Sequence, residues 1–401
     1  MGPVSAVLLG TEDVAWFRDE DSMPAAARGA AAALARRIGL GDQRAAEVAL
    51  AVSEAATNLC RHAVDGALLL RVVRTATDAG LEFVAVDAGP GMADVSRALT
   101  DGVSSASTLG IGLGAISRLA DTFDVHSLPG RGTVLAARFW TREAAAAARL
   151  AGEPVVAGLT RAISGEEVCG DAWAARSLAA AGDGPGVAGT DPAPRGGAAS
   201  RVPLSWAALA GLDAPAAPRT APVREERGAA PDSDALLLMF CDGLGHGPLA
   251  ARASRAAVDA FHASRATRPD AVLADIHRAL SAGRGGAVAV ASIGPSAGRV
   301  VFCGVGNVST FVLDPATGGR RSLPSAPGIV GHHLPSLRTI EQDLPPGSAV
   351  IMHSDGLTER WRPADLPGLL GHIPLVAAGQ LLREAGVRRD DAGVLVAKGA
   401  W

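Results

Sequence analysis

The chain has 401 residues, too many for one ordinary domain, and 48% of them are hydrophobic, which is ample for two or three cores. Its formal net charge of -4 at pH 7 gives no basic field to hold DNA or RNA, so no nucleic-acid partner is expected. The sequence has no long apolar run, which argues against a membrane span, and no basic leader, which argues against a signal peptide. It also has no CxxC pair, which argues against a structural zinc site. Together these features predict a cytoplasmic protein.

The first part of the chain alternates helical and strand-like segments. A helix is predicted over Ala45–His62, which is rich in alanine and contains no glycine or proline. The apolar run Leu81–Val86, bounded by turn residues, predicts a buried strand. The other predicted elements are a helix after a glycine-rich loop and a closing strand, Gly114–Leu119 and Thr133–Trp140. We therefore predict one domain over 1–140 and a helical linker over 141–154.

The second part, 155–401, is predicted to form another domain of mixed helices and strands. It is interrupted at 178–233 by a stretch dense in Ala, Gly, Pro and Asp, which cannot bury enough apolar surface to offset its ordering entropy and is therefore predicted to be disordered. Apolar runs predict strands at Ala235–Cys241, Ala287–Ile293, Val300–Cys303, Ser348–His353 and Gly393–Ala397. Helices are expected chiefly at Leu249–Ser264 and Ala271–Ser281. This pattern favours an α+β fold built in layers.

Four motifs in the first domain predict a nucleotide pocket. Glu54 and Asn58 are four residues apart, so they share one helix face and could orient a hydroxyl and hold magnesium. Asp87 follows the buried strand and could accept a hydrogen bond from an exocyclic amine, while Gly89 and Gly91 let a flat base approach the backbone. The third motif is a glycine run with Gly110, Gly112 and Gly114, whose backbone amides could bind phosphate. The fourth is a Gly-Arg-Gly-Thr segment that ends at Thr133. Taken singly, each motif is equally typical of a solvated helix face or a turn.

In this order and spacing the four motifs resemble the Bergerat-type ATPase family, which includes gyrase B, MutL and the histidine kinases. They look particularly like its small serine-kinase branch, typified by RsbT, RsbW and SpoIIAB. The resemblance covers about 47–139, and the short segment before the glycine run is similar to the RsbT lid. It implies an α/β sandwich that binds ATP and magnesium. Asn58 would bind the magnesium, Asp87 the adenine amine, and Glu54 would act as general base on a substrate serine.

Acidic motifs punctuate the second part, most of them at the ends of strand-like runs. Each contains an Asp-Gly, Gly-Asp or Asp-Asp pair, and they are centred on Asp171, Asp242, Asp355 and the neighbours Asp390 and Asp391. Because strand ends converge at one edge of a sheet, carboxylates distant in sequence can meet there, and magnesium and manganese prefer such ligands. Two ions could lower the pKa of a bridging water and clamp a phosphoryl group. For any one motif alone, a turn is the simpler interpretation.

In this order the acidic motifs resemble the SpoIIE branch of the metal-dependent type 2C protein phosphatases, and RsbX in particular. The resemblance covers Val155–Lys398 without the insertion and implies a layered α-β-β-α sandwich. By resemblance, Asp242 bridges two manganese or magnesium ions and the Gly243 carbonyl contributes to one of them. The other implied ligands are Asp171, Asp355 and Asp390, with Asp391 as the alternative to Asp390.

Both resemblances concern phosphate esters of proteins, so the fusion predicts one shared target that the two domains phosphorylate and dephosphorylate. The related systems imply a STAS-domain protein, either an anti-sigma-factor antagonist or a stressosome subunit. Two alternatives stay open. The first domain could bind ATP and serve only as a partner-switch module without catalysis, or it could merely sense nucleotide for the phosphatase. Glu54 favours catalysis, because a pure binding module has no need of a base.

Overall fold

The structure is a computed structural model that describes residues 10–18, 22–75, 77–100, 112–164, 166–178, 235–294, 296–387 and 389–399. Gly110 and nearly all of the predicted insertion at 178–233 lie outside these ranges. The parts of the chain before residue 180 and after residue 230 form one compact unit. Within the described ranges, no helix combines the length and the apolar character that crossing a membrane requires.

The N-terminal part is a five-stranded antiparallel sheet with helices on one face. The strands, in the spatial order β1-β2-β3-β5-β4, are β1 (Gly10–Arg18), β2 (Ala67–Arg74), β3 (Ala79–Val86), β4 (Thr122–Ser127) and β5 (Thr133–Phe139). The helices are α1 (Met23–Arg37), α2 (Asp42–His62), α3 (Val95–Ala98) and α4 (Gly112–Leu119). Because side chains alternate along a strand, Leu68 and Leu70 of β2 join the core beneath the helices, whereas Leu69 faces the opposite side of the sheet.

Both predicted helices of this part begin earlier than the sequence indicated. α2 starts at Asp42 rather than Ala45, directly after Gly41, whose φ of 78° suits a glycine outside a helix. Asp42 then places an acidic residue in the first turn, where the helix dipole stabilises negative charge. α4 likewise starts at Gly112 rather than Gly114.

The C-terminal part contains two stacked five-stranded sheets. It follows α5 (Arg142–Ala151), which occupies the predicted linker. One sheet has the order β12-β11-β14-β15-β6, made of β6 (Val156–Arg161), β11 (Ser309–Asp314), β12 (Gly319–Ser322), β14 (Ala349–His353) and β15 (Ala392–Lys398). The other has the order β13-β10-β9-β8-β7, made of β7 (Asp171–Ser177), β8 (Leu236–Gly243), β9 (Gly286–Gly294), β10 (Arg299–Val305) and β13 (Ile340–Asp343). The helices are α6 (Gly247–Ala263), α7 (Pro269–Leu280) and α8 (Pro374–Ala385).

Alternation along the strands also sets the order of these layers. On β8, Phe240 lies in the core between the two sheets, whereas Met239 lies in the core under α6 and α7. On β15, Leu395 lies between the sheets and Val396 packs with α8. The C-terminal part is therefore a sandwich of helices, two sheets and a helix. The predicted α+β fold is confirmed.

Helix α8 has a second neighbour, the N-terminal sheet. Ten of its twelve residues are buried. Its apolar core includes Leu69, Val84 and Val134, which lie on the N-terminal sheet. Gly379 permits the close approach, because a Cβ at this position would lie 2.5 Å from Cγ1 of Val134. The layers of the two parts therefore form one stack in which α8 is shared.

Polar contacts border this shared helix. Asp124 of β4 accepts a hydrogen bond from the backbone N–H of Ile373 at 2.8 Å and pairs with Nδ1 of His372 at 2.9 Å. Elsewhere on the same interface, Arg71 donates to the carbonyl of Gly158 at 3.0 Å. The N-terminal sheet is thus fixed to the C-terminal part by hydrogen bonds as well as by apolar packing.

Candidate active sites

The adenine and closing motifs of the first domain meet at the ends of β3 and β5. The backbone N–H of Asp87 donates to the carbonyl of Thr133 at 2.9 Å, and the N–H of Thr133 donates to the carbonyl of Asp87 at 3.3 Å. Oδ1 of Asp87 accepts from the backbone N–H of Gly89 at 2.7 Å. Two motifs that are far apart in sequence therefore fix the backbone that carries this carboxylate.

Close backbone packing explains the glycines around Asp87. Gly91 and Gly132 have φ values of 63° and 72°, which favour glycine. A Cβ on Gly132 would overlap the Asp87 carbonyl, and one on Gly89 would lie 2.7 Å from the His62 carbonyl oxygen. The sequence analysis explained Gly89 and Gly91 by the approach of a base. The structure adds that Gly89 and Gly132 let the loop segments pack together.

The Asp87 carboxyl group is partly buried, and its surroundings both raise and lower its pKa. Burial raises its pKa, and hydrogen bonding from Gly89 together with the positive charge of Arg383 opposes that rise. Arg383 belongs to α8, so a residue of the C-terminal part contributes to the potential at the proposed adenine contact.

Glu54 and Asn58 both lie on α2, four residues apart, and both are half-buried. The chain that follows α2 is tied to the adenine motif, because Ala88 donates its backbone N–H to the carbonyl of Val64 at 2.8 Å. Gly112 and Gly114 lie in the first turn of α4, which packs against α2 in the same core. The elements that carry the predicted nucleotide residues are therefore neighbours.

The acidic motifs of the C-terminal part converge at the ends of strands from both sheets. Asp171 and Asp242 are directly paired across β7 and β8. Asp355 follows β14, and the backbone N–H of Ser354 beside it donates to the carbonyl of Gly393 at 3.2 Å. A Cβ on Gly393 would lie 2.9 Å from the Asp171 carboxylate, which shows how closely the two sheets meet here.

Two side chains that the sequence analysis gave no role hold these carboxylates. The Ser354 hydroxyl donates to Oδ2 of Asp171 at 2.6 Å and accepts from the backbone N–H of Gly393 at 3.0 Å. Nδ2 of Asn307 donates to Oδ2 of Asp355 at 2.6 Å. Both residues stand in short glycine-containing motifs, but only the fold shows that they reach a carboxylate.

Burial and then mutual repulsion raise the pKa values of the carboxyl groups in this cluster. Burial first, and then the charges of Asp355 and Asp390, raise the pKa of Asp242 to about 7. Burial and the charge of Asp242 raise the pKa of Asp171 well above its ordinary value. Burial and Asp390 also raise the pKa of Asp355. Cations would relieve this repulsion.

The two neighbouring acids before β15 differ in their contacts. The carboxylate of Asp391 accepts backbone hydrogen bonds from Ile163 and Gly170, both at 2.7 Å, and is buried. Asp390 is exposed and accepts one from the N–H of Asp391 at 2.9 Å. Both carboxylate oxygens of Asp391 are therefore occupied by backbone hydrogen bonds, and Asp390 is better suited to bind an ion.

The donor set fits a site for hard divalent cations. Within the described ranges, no three carboxylate, imidazole or thiol groups already converge as a finished metal-binding group. Oδ1 of Asp171, however, is buried and has no hydrogen-bond partner among the described residues. All the predicted side-chain ligands offer oxygen, which magnesium and manganese prefer.

Comparisons with known proteins match both parts of the chain. Residues 17–139 match the histidine kinase-like ATPase domain family, and residues 232–398 match the Stage II sporulation protein E (SpoIIE) family. The serine/threonine-protein kinase RsbT of Bacillus subtilis is 35% identical over 109 residues, a match that covers 27% of this chain and 82% of RsbT. The chain belongs to the RsbT family. The predicted fusion of an RsbT-like domain with a SpoIIE-type phosphatase domain is confirmed.

Solved structures similar to this RsbT-family chain include RsbX and a domain of SpoIIE. RsbX in complex with magnesium is 16% identical, with a TM-score of 0.39, and the match covers 61% of this chain and 94% of RsbX. The phosphatase domain of SpoIIE from Bacillus subtilis with a fragment of its regulatory domain is 14% identical, with a TM-score of 0.40, and the match covers 81% of this chain and 80% of that one.

Proposed function

We propose that this chain is a bifunctional regulator of a partner-switching pathway, in which an ATP-dependent serine/threonine kinase domain and a metal-dependent phosphatase domain act on the same protein. The observation that carries the phosphatase half of the proposal is the placement of Asp171, Asp242 and Asp355 at neighbouring strand ends, where each carboxyl group has a raised pKa. Such a cluster is costly to fold without cations, and a purely structural role gives no reason for it.

In the phosphatase site, two magnesium or manganese ions would be held by Asp242, the Gly243 carbonyl, Asp355, Asp390 and Asp171. When bound, such ions lower the pKa of a shared water and neutralise charge on a transferring phosphoryl group. Ser354 and Asn307 orient the carboxylates of Asp171 and Asp355 by the hydrogen bonds described above.

In the kinase site, Asp87 would accept a hydrogen bond from the adenine amine, and the Gly89 N–H and the backbone of Thr133 would keep Asp87 in position. Asn58 would bind magnesium, and Glu54 would take the proton from the substrate hydroxyl as general base. The phosphates would lie at the glycine run before and within the first turn of α4, at Gly110, Gly112 and Gly114.

The proposed substrate is a STAS-domain protein, either an anti-sigma-factor antagonist or a stressosome subunit. The similarity to RsbT supports it, as does the pairing of a kinase family with a phosphatase family in one chain. We also propose that the protein acts in the cytoplasm and needs neither a membrane nor a nucleic acid.

The test uses two substitutions, one in each proposed site, and a co-expressed STAS-domain protein as substrate. Glu54→Ala should lower transfer of radiolabelled phosphate from ATP by about 100-fold or more, because the general base is lost. Asp242→Asn should abolish hydrolysis of the phosphorylated STAS protein and weaken manganese binding. Phosphorylated product should then accumulate, whereas the wild type reaches only a partial steady state.

Three results would count against this function. Undiminished phosphorylation by Glu54→Ala would return Glu54 to an ordinary helix face and favour a partner-switch module. Loss of ATP-dependent phosphorylation in a folded Asp242→Asn variant would contradict two distinct catalytic sites. Normal hydrolysis by Asp242→Asn would remove the carboxylate cluster from catalysis.

A further inference from the structure

The last turn of α8 touches the nucleotide motifs on one side. Arg131, which lies between the glycines of the closing motif, pairs with Glu384 of α8 at 2.9 Å. The same guanidinium donates to the carbonyl of Asp365, which also belongs to the C-terminal part. The loop that leads to Thr133 is therefore bonded directly to the phosphatase domain.

Arg383, next to Glu384, is a charged residue in a buried position. Its side chain is only 4% exposed, and it pairs with Glu384 at 2.9 Å. Among the described residues, its Nε and Nη1 atoms have no hydrogen-bond partner. Its charge also acts on Asp87 across the domain boundary. The last turn of α8 therefore holds a buried guanidinium with spare donors beside the pair that joins Glu384 to Arg131.

The same turn of α8 touches the phosphatase motif on its other side. The Ala385 carbonyl accepts a hydrogen bond from the N–H of Thr358 at 2.8 Å, and the N–H of Val387 donates to the carbonyl of Gly356 at 2.7 Å. Gly356 directly follows Asp355, so these bonds fix the backbone that positions a proposed metal ligand. Residues 383–387 thus lie between the two sites.

We propose that nucleotide bound in the N-terminal pocket regulates the phosphatase site through the last turn of α8. The inference rests on the proposed function, since it requires that the pocket bind a nucleotide. Nucleotide bound at Asp87 displaces the adjoining loop that carries Arg131, which weakens the pair of Arg131 with Glu384 and therefore the hold on this turn. The backbone at Gly356 is then less firmly fixed, and phosphatase turnover falls.

The coupling is measured on the full chain with p-nitrophenyl phosphate as substrate, manganese held at constant free concentration, and ADP as the probe. Saturating ADP should lower turnover of the wild type by about 5-fold or more, the lower end of ordinary allosteric coupling. Glu384→Gln breaks the ion pairs with Arg131 and Arg383, so it should lower basal turnover toward that of the ADP-bound wild type and reduce the response to ADP to less than about 2-fold, with ADP binding retained. Glu341→Gln is the matched control, because it removes an exposed pair with Arg299 remote from α8 and should leave the response intact.

The outcomes separate this inference from the proposed function. If calorimetry shows ADP binding but turnover does not fall, or if Glu384→Gln responds like the wild type, the coupling through α8 is wrong while nucleotide binding stands. If ADP does not bind at all, the nucleotide site fails and the coupling fails with it.

Hydrogen exchange on the wild-type protein gives a second test of the coupling, which does not depend on the folding of a variant. Bound ADP should speed exchange of the amides of Thr358 and Val387, whose hydrogen bonds join α8 to the phosphatase motif. Unchanged protection of both amides in the ADP complex would overturn the proposal.

Discussion

At the scale of single residues, Asp87 is the proposed contact for the adenine amine. Asp87→Asn keeps the shape of the side chain but exchanges an acceptor for a partial donor. We expect it to weaken ATP binding by about 1–3 kcal/mol, because a hydrogen bond to the adenine amine is lost. Asp78→Asn, at the opposite end of β3, should leave the affinity unchanged in the same calorimetric titration. Equal affinities in all three proteins would remove Asp87 from the pocket.

Ser354 offers a second prediction at this scale. Ser354→Ala removes a donor to the buried Asp171 carboxylate and leaves the Gly393 N–H without its acceptor, so it should cost about 1–3 kcal/mol of stability. It should also weaken manganese binding by about 10–100-fold, as loss of an orienting partner does.

Ser264→Ala provides the matched control for Ser354→Ala. Ser264 is also buried, donates to a carboxylate, that of Asp275, and accepts from a backbone N–H, but it lies outside the acidic cluster. It should lower stability without changing the manganese dependence of turnover. A similar loss of metal affinity in both variants would show that Ser354 acts only through general stability.

The sequence predicted which acids could form the phosphatase site but not how they are held. Asp171, Asp242 and Asp355 stand beside glycines at strand-like runs, a pattern visible without a structure. Asn307 and Ser354 are short polar residues in similar motifs, and nothing local shows that they reach a carboxylate. Their roles depend on which strands pair, a non-local property that composition and spacing do not carry.

At the scale of elements, α8 and α1 are helices that the sequence did not predict. The segment 374–385 begins with Pro374 and contains Gly379, and its polar residues stand only in its second half. In the fold, the N-terminal sheet covers a face of α8 that most helices turn to water. Burial of one helix between two sheets is a non-local property that composition does not show.

Gly379 gives the prediction that belongs to this element. Alanine in a helix interior is ordinarily favoured over glycine by about 1 kcal/mol. At Gly379, however, a Cβ would lie 2.5 Å from Val134, and overpacking of that kind costs about 1–3 kcal/mol. We expect Gly379→Ala to be destabilising in urea unfolding, and Val134→Ala in the same chain to recover part of the loss.

Gly29 of α1 serves as the reference for this comparison. It is exposed inside a helix, and a Cβ there would meet nothing within 4 Å. Gly29→Ala should therefore stabilise the protein by up to about 1 kcal/mol. If Gly379→Ala stabilises it equally, α8 and β5 are not in close contact in solution.

At the scale of the whole molecule, the interface between the two parts should be sensitive to acid. Burial first, and then the charges of His372 and Arg383, lower the pKa of His126, whose Nε2 bonds the Pro367 carbonyl at 3.1 Å. A histidine with a depressed folded pKa takes up its proton more readily when unfolded. Stability is therefore present above the ordinary value of 6.5 and is lost as pH falls below it.

The carboxylates at the interface act in the same direction at lower pH. Burial alone would raise the pKa of Asp124 and Glu384, but hydrogen bonds from His372 and Arg131, respectively, lower both. Their stabilisation is present above the unfolded values of 3.8 and 4.5 and is lost as pH falls through the folded values. Acid should thus loosen the interface first through His126 and then through these two groups.

The measurement compares urea unfolding of the wild type and His126→Gln between pH 7.5 and 5.5, both without metal. Glutamine keeps a donor for the Pro367 carbonyl but does not titrate. The wild type should lose more stability over this range than the variant does, and parallel curves would exclude His126 as the source. The comparison matters because the raised pKa values in the acidic cluster act in the opposite sense in both proteins.

The burial of α8 on two sides also bears on attempts to take the protein apart. A phosphatase half cut free at the linker would keep a helix in which ten of twelve residues are normally hidden, most of them apolar. An exposed apolar surface of that kind promotes self-association. Poor behaviour of an isolated half would then reflect the missing sheet rather than a defective catalytic site, and polar substitutions on the uncovered side of α8 would be the remedy.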